Sequence, residues 1–448
     1  MLLDFKLRNY RSFRDETVFS MEPTSPQRDL QSTLLTSPAG SWNYHANSLA
    51  VIYGPNAAGK TNLVTGLEAF RNLVLRGHIR NSDLPPRNMQ GAAGAQLELM
   101  PNMHALKDRV TGFDIAFVDN GMLVEYGLDF DLGGFMNTGY GRRVSRESLR
   151  VNGAQVFSRG TEGTTWGDLE VLKERVPVPI NLSPDEYALV ARIAASSVTP
   201  DELLLANGFR SAVWPDLAAA IRSWFQDKLF VALRIDEVPL PKTGLAEVEA
   251  GGRESGAFRS SDGIRSIAEQ LGLTARQLGF PVRDGEMVEE LYTLLADTLL
   301  QGKPAMLPAQ ALESRGTIRL AHIIQAAAAV LEAGGILVAD ELDVSVHPAA
   351  MRAVMNLFHD EKINRSQAQL VFTTHNPAYL DSNLCRRDEL RFVERPDDLA
   401  GSRLWSLADL GSQAGQEGED YLREYLQGSY GAVGDLDLSG VFAAPEGQ

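Results

Sequence analysis

Cysteine and long apolar runs are scarce in this sequence. Cys385 is the single cysteine among 448 residues, so an internal disulfide is excluded and a cytoplasmic location is expected. The first residues have no apolar core and no cleavage site, and we expect no signal peptide. The most apolar stretch, 320–339, is interrupted by polar residues, a glutamate and a pair of glycines. It is therefore a poor candidate for a membrane span.

Positive charge is also in short supply. The chain has 42 basic against 58 acidic residues and a formal net charge of −16. This balance argues against a protein whose whole surface attracts nucleic acid, although a local basic groove is compatible with it. Heptad repeats long enough for a coiled-coil rod are missing too. With 44% hydrophobic and 22% charged residues, the chain is typical of a soluble globular protein of about two or three domains.

What the sequence does contain is a phosphate-binding motif. Residues 54–61 have the spacing G-x-x-x-x-G-K-T. The two glycines allow the backbone to curl so that successive N–H groups face a phosphate chain. Lys60 is expected to reach the β- and γ-phosphates, and the hydroxyl of Thr61 is expected to hold Mg²⁺. The predicted nucleotide-binding loop consists of Gly54, Pro55, Asn56, Ala57, Ala58, Gly59, Lys60, Thr61 and Asn62.

The context of this motif supports that interpretation. A short apolar run precedes Gly54, and residues 62–76 place apolar side chains on one helical face before Gly77, a natural C-cap. A helix that begins here directs its N-terminus at the anion. A chance match in a glycine-rich turn is the alternative, and the strand before and the helix after it argue against that. We therefore predict that the protein binds ATP together with Mg²⁺.

A second candidate strand ends in two carboxylates. Residues 335–339 are continuously apolar, as a parallel strand buried on both faces requires, and Asp340 and Glu341 follow. Ligands of such sheets lie at the carboxyl ends of strands. We expect Asp340 to orient Mg²⁺ through water and Glu341 to be the general base that activates the attacking water. An ordinary strand that ends in an acidic loop is the alternative, which the upstream phosphate-binding motif disfavours.

Two further stretches carry candidate site residues. The β-rich run from Gln369 ends at His375, which could contact the γ-phosphate. A lone histidine is more often structural, but this is the third strand end of the same type, and we favour a functional role. Ser314, Gly316 and Thr317 precede a helical pattern over 318–332 and could form a second anion site at its N-terminus. A plain N-cap explains the same residues and is favoured on the residues alone.

The rest of the chain divides into three parts by its pattern. We assign residues 1–175 to the N-terminal part of an α/β ATPase head that contains the phosphate-binding loop and antiparallel strands. Residues 176–310 are predicted to be a mainly helical insertion. Residues 311–448 complete the head with the serine–glycine–threonine stretch, the two carboxylates, the histidine and the tail.

Several elements are predicted from periodicity and turn residues. Antiparallel strands are expected at 113–118, 123–130 and 155–158, with Asp119-Asn120-Gly121 as a hairpin turn. Helices are expected near 264–279 and 286–301, and loops at 23–48 and 241–263. The expected core of the helical part includes Leu203, Leu204, Leu217, Ile221, Trp224 and Phe225.

A basic cluster has two interpretations. Arg142, Arg143, Arg146 and Arg150 could form a patch for nucleic acid. A solvated face of a charged segment is the ordinary explanation, and we favour it.

The order of these motifs resembles the ABC-type ATPase heads of the RecF/SMC/OLD grouping. Above all it resembles the AAA-domain ATPases of bacterial abortive-infection and other anti-phage systems. The tail, 425–432, is the most specific part of the resemblance, and the middle of the chain carries a weaker one. The stretches that carry the resemblance are 7–13, 54–61, 146–149, 313–317, 340–343, 347–348, 369–376, 386–388 and 425–432.

The resemblance implies a P-loop NTPase fold, an ABC-like head with a mixed sheet and an inserted helical subdomain. It implies that Ser314, Gly316 and Thr317 form the signature motif, which reaches across a dimer to the partner's γ-phosphate, and that His375 is the switch histidine. The implied partners are a second copy in a homodimer or higher oligomer, with ATP between the heads, and a co-encoded effector that is a nuclease or a toxin.

Three functions are compatible with this resemblance. The favoured one is the sensor or regulator of an anti-phage system that acts with a separate effector. The second is a DNA-repair or DNA-binding ATPase of RecF type. The third is an OLD-like ATPase with its own nuclease, for which Glu394, Asp435 and Asp437 imitate the required carboxylates. Too few residues follow His375 for that nuclease domain.

Overall fold

The computed structural model describes most of the chain. Described are residues 1–24, 33–80, 98–105, 110–132, 141–235, 245–248, 257–270, 276–283, 286–288, 290–295, 305–396, 401–410 and 420–434. The strands are β1 Leu2–Arg8, β2 Thr17–Ser20, β3 Leu34–Ala39, β4 Trp42–Asn47, β5 Leu49–Tyr53, β6 Val110–Asp119, β7 Met122–Asp131, β8 Arg143–Val151, β9 Ala154–Gly160, β10 Gly163–Trp166, β11 Leu229–Ala232, β12 Leu245–Val248, β13 Ala257–Ser261, β14 Arg276–Arg283, β15 Glu286–Met287, β16 Tyr292–Leu295, β17 Ala305–Pro308, β18 Ile336–Ala339, β19 Gln369–Thr373, β20 Leu390–Glu394 and β21 Arg403–Ser406. The α-helices are α1 Lys60–Arg76, α2 Leu169–Arg175, α3 Pro184–Ser196, α4 Pro215–Ser223, α5 Asp262–Gln270, α6 Arg315–Ala333, α7 Pro348–His359 and α8 Tyr421–Leu426. Two π-helical segments, Leu205–Val213 and Trp224–Lys228, flank α4.

The central sheet is mostly parallel and is deeply buried. Its strand order is β11–β18–β19–β5–β20–β21, and every neighbouring pair is parallel except β20 and β21. All residues of β5, β18 and β19 are buried, as expected for strands covered on both faces. Because β19 lies between β5 and β18, the carboxyl ends of these three strands are neighbours at one edge of the sheet.

A seven-stranded antiparallel sheet packs beside the central one. Its order is β10–β9–β8–β7–β6–β1–β2, and it shares one hydrophobic core with α1. Phe70 of α1 stacks on Phe5 of β1 and Tyr126 of β7, with ring centroids 6.4 and 5.8 Å apart. The amide of Gln369 joins the two sheets, since it accepts from Leu2 N (2.6 Å) and donates to Leu2 O (3.0 Å).

A third sheet of short strands precedes α6. Its order is β12–β13–β14–β16–β17, with β15 paired to β14, and all its pairings are antiparallel. Its core includes Leu278 and Phe280 of β14, Ile264 of α5 and Ala321 of α6. The shared core attaches this sheet to the helix whose first turn carries the predicted signature residues.

Most of the predicted elements are present. The strand and helix around the phosphate-binding loop, the antiparallel strands and the strands before Asp340 and His375 agree with the sequence, within a few residues at their ends. Gly77 caps α1 with a φ of 79°. Asn120 and Gly121 have φ values of 48° and 74°, as a two-residue hairpin turn between β6 and β7 requires. The predicted core residues of the helical part are all buried.

Two predicted loops, the helical insertion and two predicted helices within it differ from the structure. The expected loop at 23–48 contains the hairpin of β3 and β4, in which Pro38 is tolerated because the sheet has only two strands. The insertion 176–310 is mainly helical from α3 to residue 228, whereas its described residues from 245 onward are mostly strands, with α5 as a helix among them. Within the predicted loop at 241–263, residues 245–248 and 257–261 are strands and 262 and 263 begin α5, and the rest lies outside the described residues.

The predicted helices in the insertion show why periodicity misled. The first is helical over α5, but residues 276–279 belong to β14, and residues 271–275 lie outside the described residues. The second contains β15 and β16, and residues 296–301 lie outside the described residues. Tyr292 and Leu294 alternate with Thr293 and find cross-strand partners in β14 and β17. A short apolar run is compatible with a helix or with a strand. Here the pairing with neighbouring strands determines that it is a strand.

Candidate functional site

The phosphate-binding loop connects β5 to α1. At its two glycines, neighbouring atoms leave no room for a side chain. Gly54 has a φ of 154°, and a Cβ there would collide with the carbonyl oxygen of Val393 in β20. Gly59 has a φ of 116°, and its Cβ would lie 2.5 Å from Ser402 Oγ and 2.6 Å from Ser12 Oγ. Both positions therefore require glycine, as the motif predicts.

Lys60 is folded into its own loop. Its Nζ donates to the carbonyl oxygens of Gly54 (2.7 Å) and Pro55 (3.0 Å). Burial lowers the pKa of Lys60 to about 8, against the opposing effect of the Asp340 and Glu341 carboxylates. The amine is thus bonded to two backbone carbonyl oxygens of its own loop. A bound anion would replace them as its hydrogen-bonding partner.

The loop and β18 meet through a hydrogen bond. Thr61 Oγ1 donates to Asp340 Oδ2 (2.7 Å), and Thr373 Oγ1 of β19 donates to Asp340 Oδ1 (2.6 Å). The same Thr373 hydroxyl accepts from the backbone N–H of Glu341 (2.8 Å). Both oxygens of Asp340 are therefore oriented, and Thr373 connects the two acidic residues.

Glu341 stands in a strained but well-supported backbone conformation. Its φ is 46°, which is unusual for a residue with a side chain and is typical of functional sites. Arg319 of α6 donates to the carbonyl oxygens of Glu341 (2.6 Å) and Leu342 (3.2 Å). The carboxylate of Glu341 is half exposed and lies 3.9 Å from Nε2 of His375.

His375 is the predicted site residue that follows β19, the third strand that ends at this edge. Burial, followed by the charge of Lys60, holds the pKa of His375 below its ordinary value. The ring is thus mostly neutral at pH 7 and acts as a hydrogen-bonding group rather than as a cation. The structure therefore brings together Lys60, Thr61, Asp340, Glu341 and His375, which the sequence predicted separately.

The predicted signature residues lie at the start of α6, and their own hydrogen bonds are local. Ser314 is the N-cap, and its Oγ accepts from Thr317 N (3.1 Å) and lies 2.9 Å from Thr317 Oγ1. A Cβ on Gly316 would collide with the carbonyl oxygen of Ser345, so this turn packs on the chain just after Glu341. The plain N-cap is thus confirmed, and the role across a dimer stays a prediction.

Sequence reasoning missed two serines that support the loop. Ser402 Oγ donates to Ala58 O (2.6 Å), and Ser402 N donates to Ser12 O (2.8 Å). Ser12 Oγ accepts from the amide of Asn62 (2.8 Å). Ser12 lies in the stretch 7–13 that carries part of the family resemblance, but neither serine's own segment predicts its contact, because each is brought to the loop from a distant part of the chain. Asn56 and Ala57, at the loop's tip, are exposed.

The basic cluster is explained by ion pairs. Arg146 bonds both Asp114 (2.7 Å) and Asp129 (2.8 Å), whereas Arg143 pairs with Asp131 (3.3 Å). Arg150 lies 3.6 Å from Glu125, and Arg142 donates to the backbone of residue 79. The ordinary explanation of a charged, solvated face is therefore supported. Of the carboxylates that imitate a nuclease, Glu394 ends β20, and Asp435 and Asp437 lie outside the described residues.

The oxygen donors at this edge fit Mg²⁺. The hydroxyl of Thr61 and the carboxylate of Asp340 are adjacent hard ligands, and Mg²⁺ takes few protein ligands beside water and phosphate oxygens. Among the described residues, no group of three or more His, Cys, Asp or Glu could hold a metal by itself.

None of the helices in the described part of the chain is long and apolar enough to cross a membrane.

Comparison with known protein families gives a match to part of the chain. Residues 241–381, less than half of the chain, match the family described as "AAA domain, putative AbiEii toxin, Type IV TA system". The matched segment contains Ser314, Asp340, Glu341 and His375 but ends before the tail and begins after the phosphate-binding loop. No curated protein matches the chain. Over this segment the chain is similar to P-loop ATPases of the type associated with abortive infection, and its mixed α/β fold agrees with such a domain.

Proposed function

We propose that this chain is an ATP-binding and ATP-hydrolysing switch of ABC type, in which two copies hold nucleotide between them. The observation that carries the proposal is the 2.7 Å hydrogen bond from Thr61 to Asp340. It joins the phosphate-binding loop to the carboxylate that follows β18, a parallel strand of the same sheet, which is the arrangement that nucleotide hydrolysis needs.

The residues at this edge have separate tasks in the proposed reaction. Lys60 leaves its two carbonyl partners and neutralises phosphate oxygens, and Mg²⁺ bound at Thr61 and Asp340 supplies further charge stabilisation. Glu341 accepts a proton from the attacking water, and its fixed backbone keeps the carboxylate at the mouth of the site. His375, being mostly neutral at pH 7, hydrogen-bonds the γ-phosphate.

A second copy completes the site in this proposal. Ser314 is exposed, and beside it Leu312 and Val344 leave 36% and 45% of their surface in solvent. The close packing of Gly316 on Ser345 makes the signature turn and the residues after Glu341 one face. Exposed apolar side chains around a polar centre are typical of a surface that another protein covers.

Light scattering tests this assembly. Glu341→Gln protein, which should hold ATP without hydrolysing it, is expected to form a larger species when ATP is added. Ser314→Arg in the same background should prevent the shift, because a long charged side chain blocks the face. An equal shift in both proteins would contradict an interface at Ser314.

We further propose that this ATPase is the sensor or regulator of an anti-phage, abortive-infection system and acts on a separate effector. The description of the matched family supports this class. The acidic balance of the chain and the ion-paired arginines give no support to a general nucleic-acid surface. The effector is expected to be a nuclease or a toxin encoded beside this chain.

Two assays test the regulatory role. The purified protein should hydrolyse ATP and cut neither DNA nor RNA, and phage protection or growth arrest should need the neighbouring gene as well. Nuclease activity from this chain alone, lost when Asp435 and Asp437 are changed to Ala, would favour an OLD-like enzyme instead.

A further inference from the structure

The C-terminal tail, residues 420–434, returns to the phosphate-binding loop. Its last described residue, Gly434, lies against Pro55, the second residue of that loop: a Cβ on Gly434 would be 3.0 Å from Pro55 Cβ. The loop is supported on another side by Ser402, which bonds Ala58 O, and by the β20 backbone at Gly54. The C-terminal segment thus encloses a loop that is more than 300 residues away in sequence.

Aromatic contacts connect the tail to the strand that leads into the loop. The ring of Tyr425 in α8 lies 5.7 Å from that of Tyr53 and 5.8 Å from that of Phe392. Tyr53 is the last residue of β5, directly before Gly54, and it is fully buried. The hydroxyl of Tyr425 donates to Ala432 O (3.2 Å), which fastens α8 to the segment that runs to Gly434.

The path of the tail is strongly specified. Gly428, Gly431 and Ala432 have φ values of 80°, 70° and 55°, all in the left-handed region. Ala432 is fully buried, and such a conformation persists in a residue with a side chain only where its surroundings determine it. A Cβ on Gly431 would lie 3.2 Å from the ring of Trp405, closer than side chains ordinarily pack, so this position also favours glycine. These constraints place the end of the tail at the loop.

We propose that the tail is a positioning element of the nucleotide site. It holds Tyr53 and Pro55, and so it keeps the loop in the shape that receives the phosphates. This inference rests on the proposed nucleotide binding and adds to it a group of residues that need not touch the nucleotide. A purely structural role would lower the stability of the fold and leave the affinity of the folded protein for ATP unchanged.

The test is Gly434→Val. Gly434 is exposed, but a Cβ there would lie 3.0 Å from Pro55 Cβ, so the valine must shift Pro55 or the tail by a few tenths of an ångström. Gly160→Val is the matched control, because Gly160 lies in β9 with an ordinary φ, and a Cβ added there would have nothing within 4 Å. ATP affinity is measured by calorimetry in a Glu341→Gln background, and thermal unfolding is measured without nucleotide. We expect about tenfold weaker ATP binding for Gly434→Val, since small displacements of a binding loop are costly. The melting temperature of Gly434→Val should equal that of the parent protein. The control, Gly160→Val, should match the parent protein in both ATP affinity and melting temperature.

Two further variants sharpen the test, and Tyr425→Phe keeps the inference testable if Gly434→Val does not fold. Tyr425→Phe retains the ring and loses the bond to Ala432 O, so it should weaken ATP binding by about twofold to threefold. Adding Pro55→Ala to Gly434→Val should make the loss caused by the valine smaller, because it removes the side chain that the valine meets.

The outcomes separate this inference from the proposed function. Parent-like ATP affinity in Gly434→Val and Tyr425→Phe overturns the positioning role, as does an equal loss in Gly160→Val. No ATP binding by the parent protein overturns the proposed function, and the inference with it.

Discussion

The phosphate-binding edge of the central sheet and the first turn of α6 are held by very different contacts. At the sheet edge, Thr61, Asp340 and Thr373 form a chain of hydrogen bonds of 2.6 and 2.7 Å that joins three strand ends. At the start of α6, Ser314 and Thr317 bond mainly each other, and Ser314 is exposed. One half of the candidate site is thus assembled within a single chain, whereas the other half presents its polar groups outward.

The two halves of the candidate site therefore differ in how far their polar groups are already oriented. The sheet edge is preorganised, because its acidic residues are already oriented by hydroxyl and amide donors. The signature turn has spare hydrogen-bonding capacity at a helix N-terminus, where an anion is favoured.

The largest effect is expected from Lys60→Ala. The amine of Lys60 is the cationic group that lies inside the loop, and its loss should abolish measurable ATP binding. Equilibrium binding of a fluorescent ATP analogue measures this. Near-normal affinity would mean that the loop is not the nucleotide site.

The next largest effect is expected from Glu341→Gln. Because the carboxylate acts on water and not on the nucleotide, ATP affinity should persist and turnover should fall by about 10²-fold or more. Affinity and steady-state hydrolysis are compared in the same preparation. Equal losses of binding and turnover would contradict a role as general base.

A smaller effect is expected from Thr373→Val, which has nearly the same shape but lacks the hydroxyl. Asp340 loses a donor and the N–H of Glu341 loses its acceptor, so turnover should fall by about tenfold, and the free energy of unfolding by about 1–3 kcal/mol. Thr373→Ser keeps the hydroxyl and should restore most of both. If Thr373→Val and Thr373→Ser behave alike, the hydroxyl does not orient the two acids.

The smallest effect concerns the stability of the nucleotide-free protein. Burial lowers the pKa of Lys60 from 10.5 to about 8, so below pH 8 the charged amine is buried at its full cost. Between these two values the unfolded chain binds more protons than the folded one, and stability therefore rises with pH. Lys60→Met should raise the free energy of unfolding by about 1 kcal/mol at pH 7, after allowance for solvent screening, and by less near pH 10.

Urea unfolding at both pH values checks this last prediction. A constant difference between Lys60→Met and the parent protein would contradict a cost that comes from burying the charge. A destabilised Lys60→Met protein would show instead that the amine stabilises the empty loop.

Most of the candidate site at the sheet edge can be predicted from the sequence, because its residues lie in short segments that each have a recognisable pattern. The loop from Gly54 to Thr61, the two acids after β18 and His375 after β19 each sit in a short segment whose pattern specifies both its structure and its position at a strand end. Parallel strands that are buried on both faces read as continuous apolar runs, which are easily recognised.

Other features depend on contacts that no short segment contains. Ser12 and Ser402 reach the loop through the fold, and although Ser12 lies in the resembling stretch 7–13, the segments around the two serines do not specify these contacts. The strand β16 was predicted as helix because four residues have no decisive period, and its pairing with β14 and β17 determines its structure. The contact of Gly434 with Pro55 is likewise visible only in three dimensions.

The most direct test of the central claim mixes two inactive proteins. Lys60→Ala lacks a working phosphate-binding loop, and Ser314→Arg lacks a working signature turn. If each site takes its loop from one chain and its signature turn from the other, a mixed dimer contains one intact site. We therefore predict that the mixture regains part of the ATPase activity that each protein lacks alone. No recovery, with mixed dimers demonstrated by mass spectrometry, would show that the site is completed within one chain.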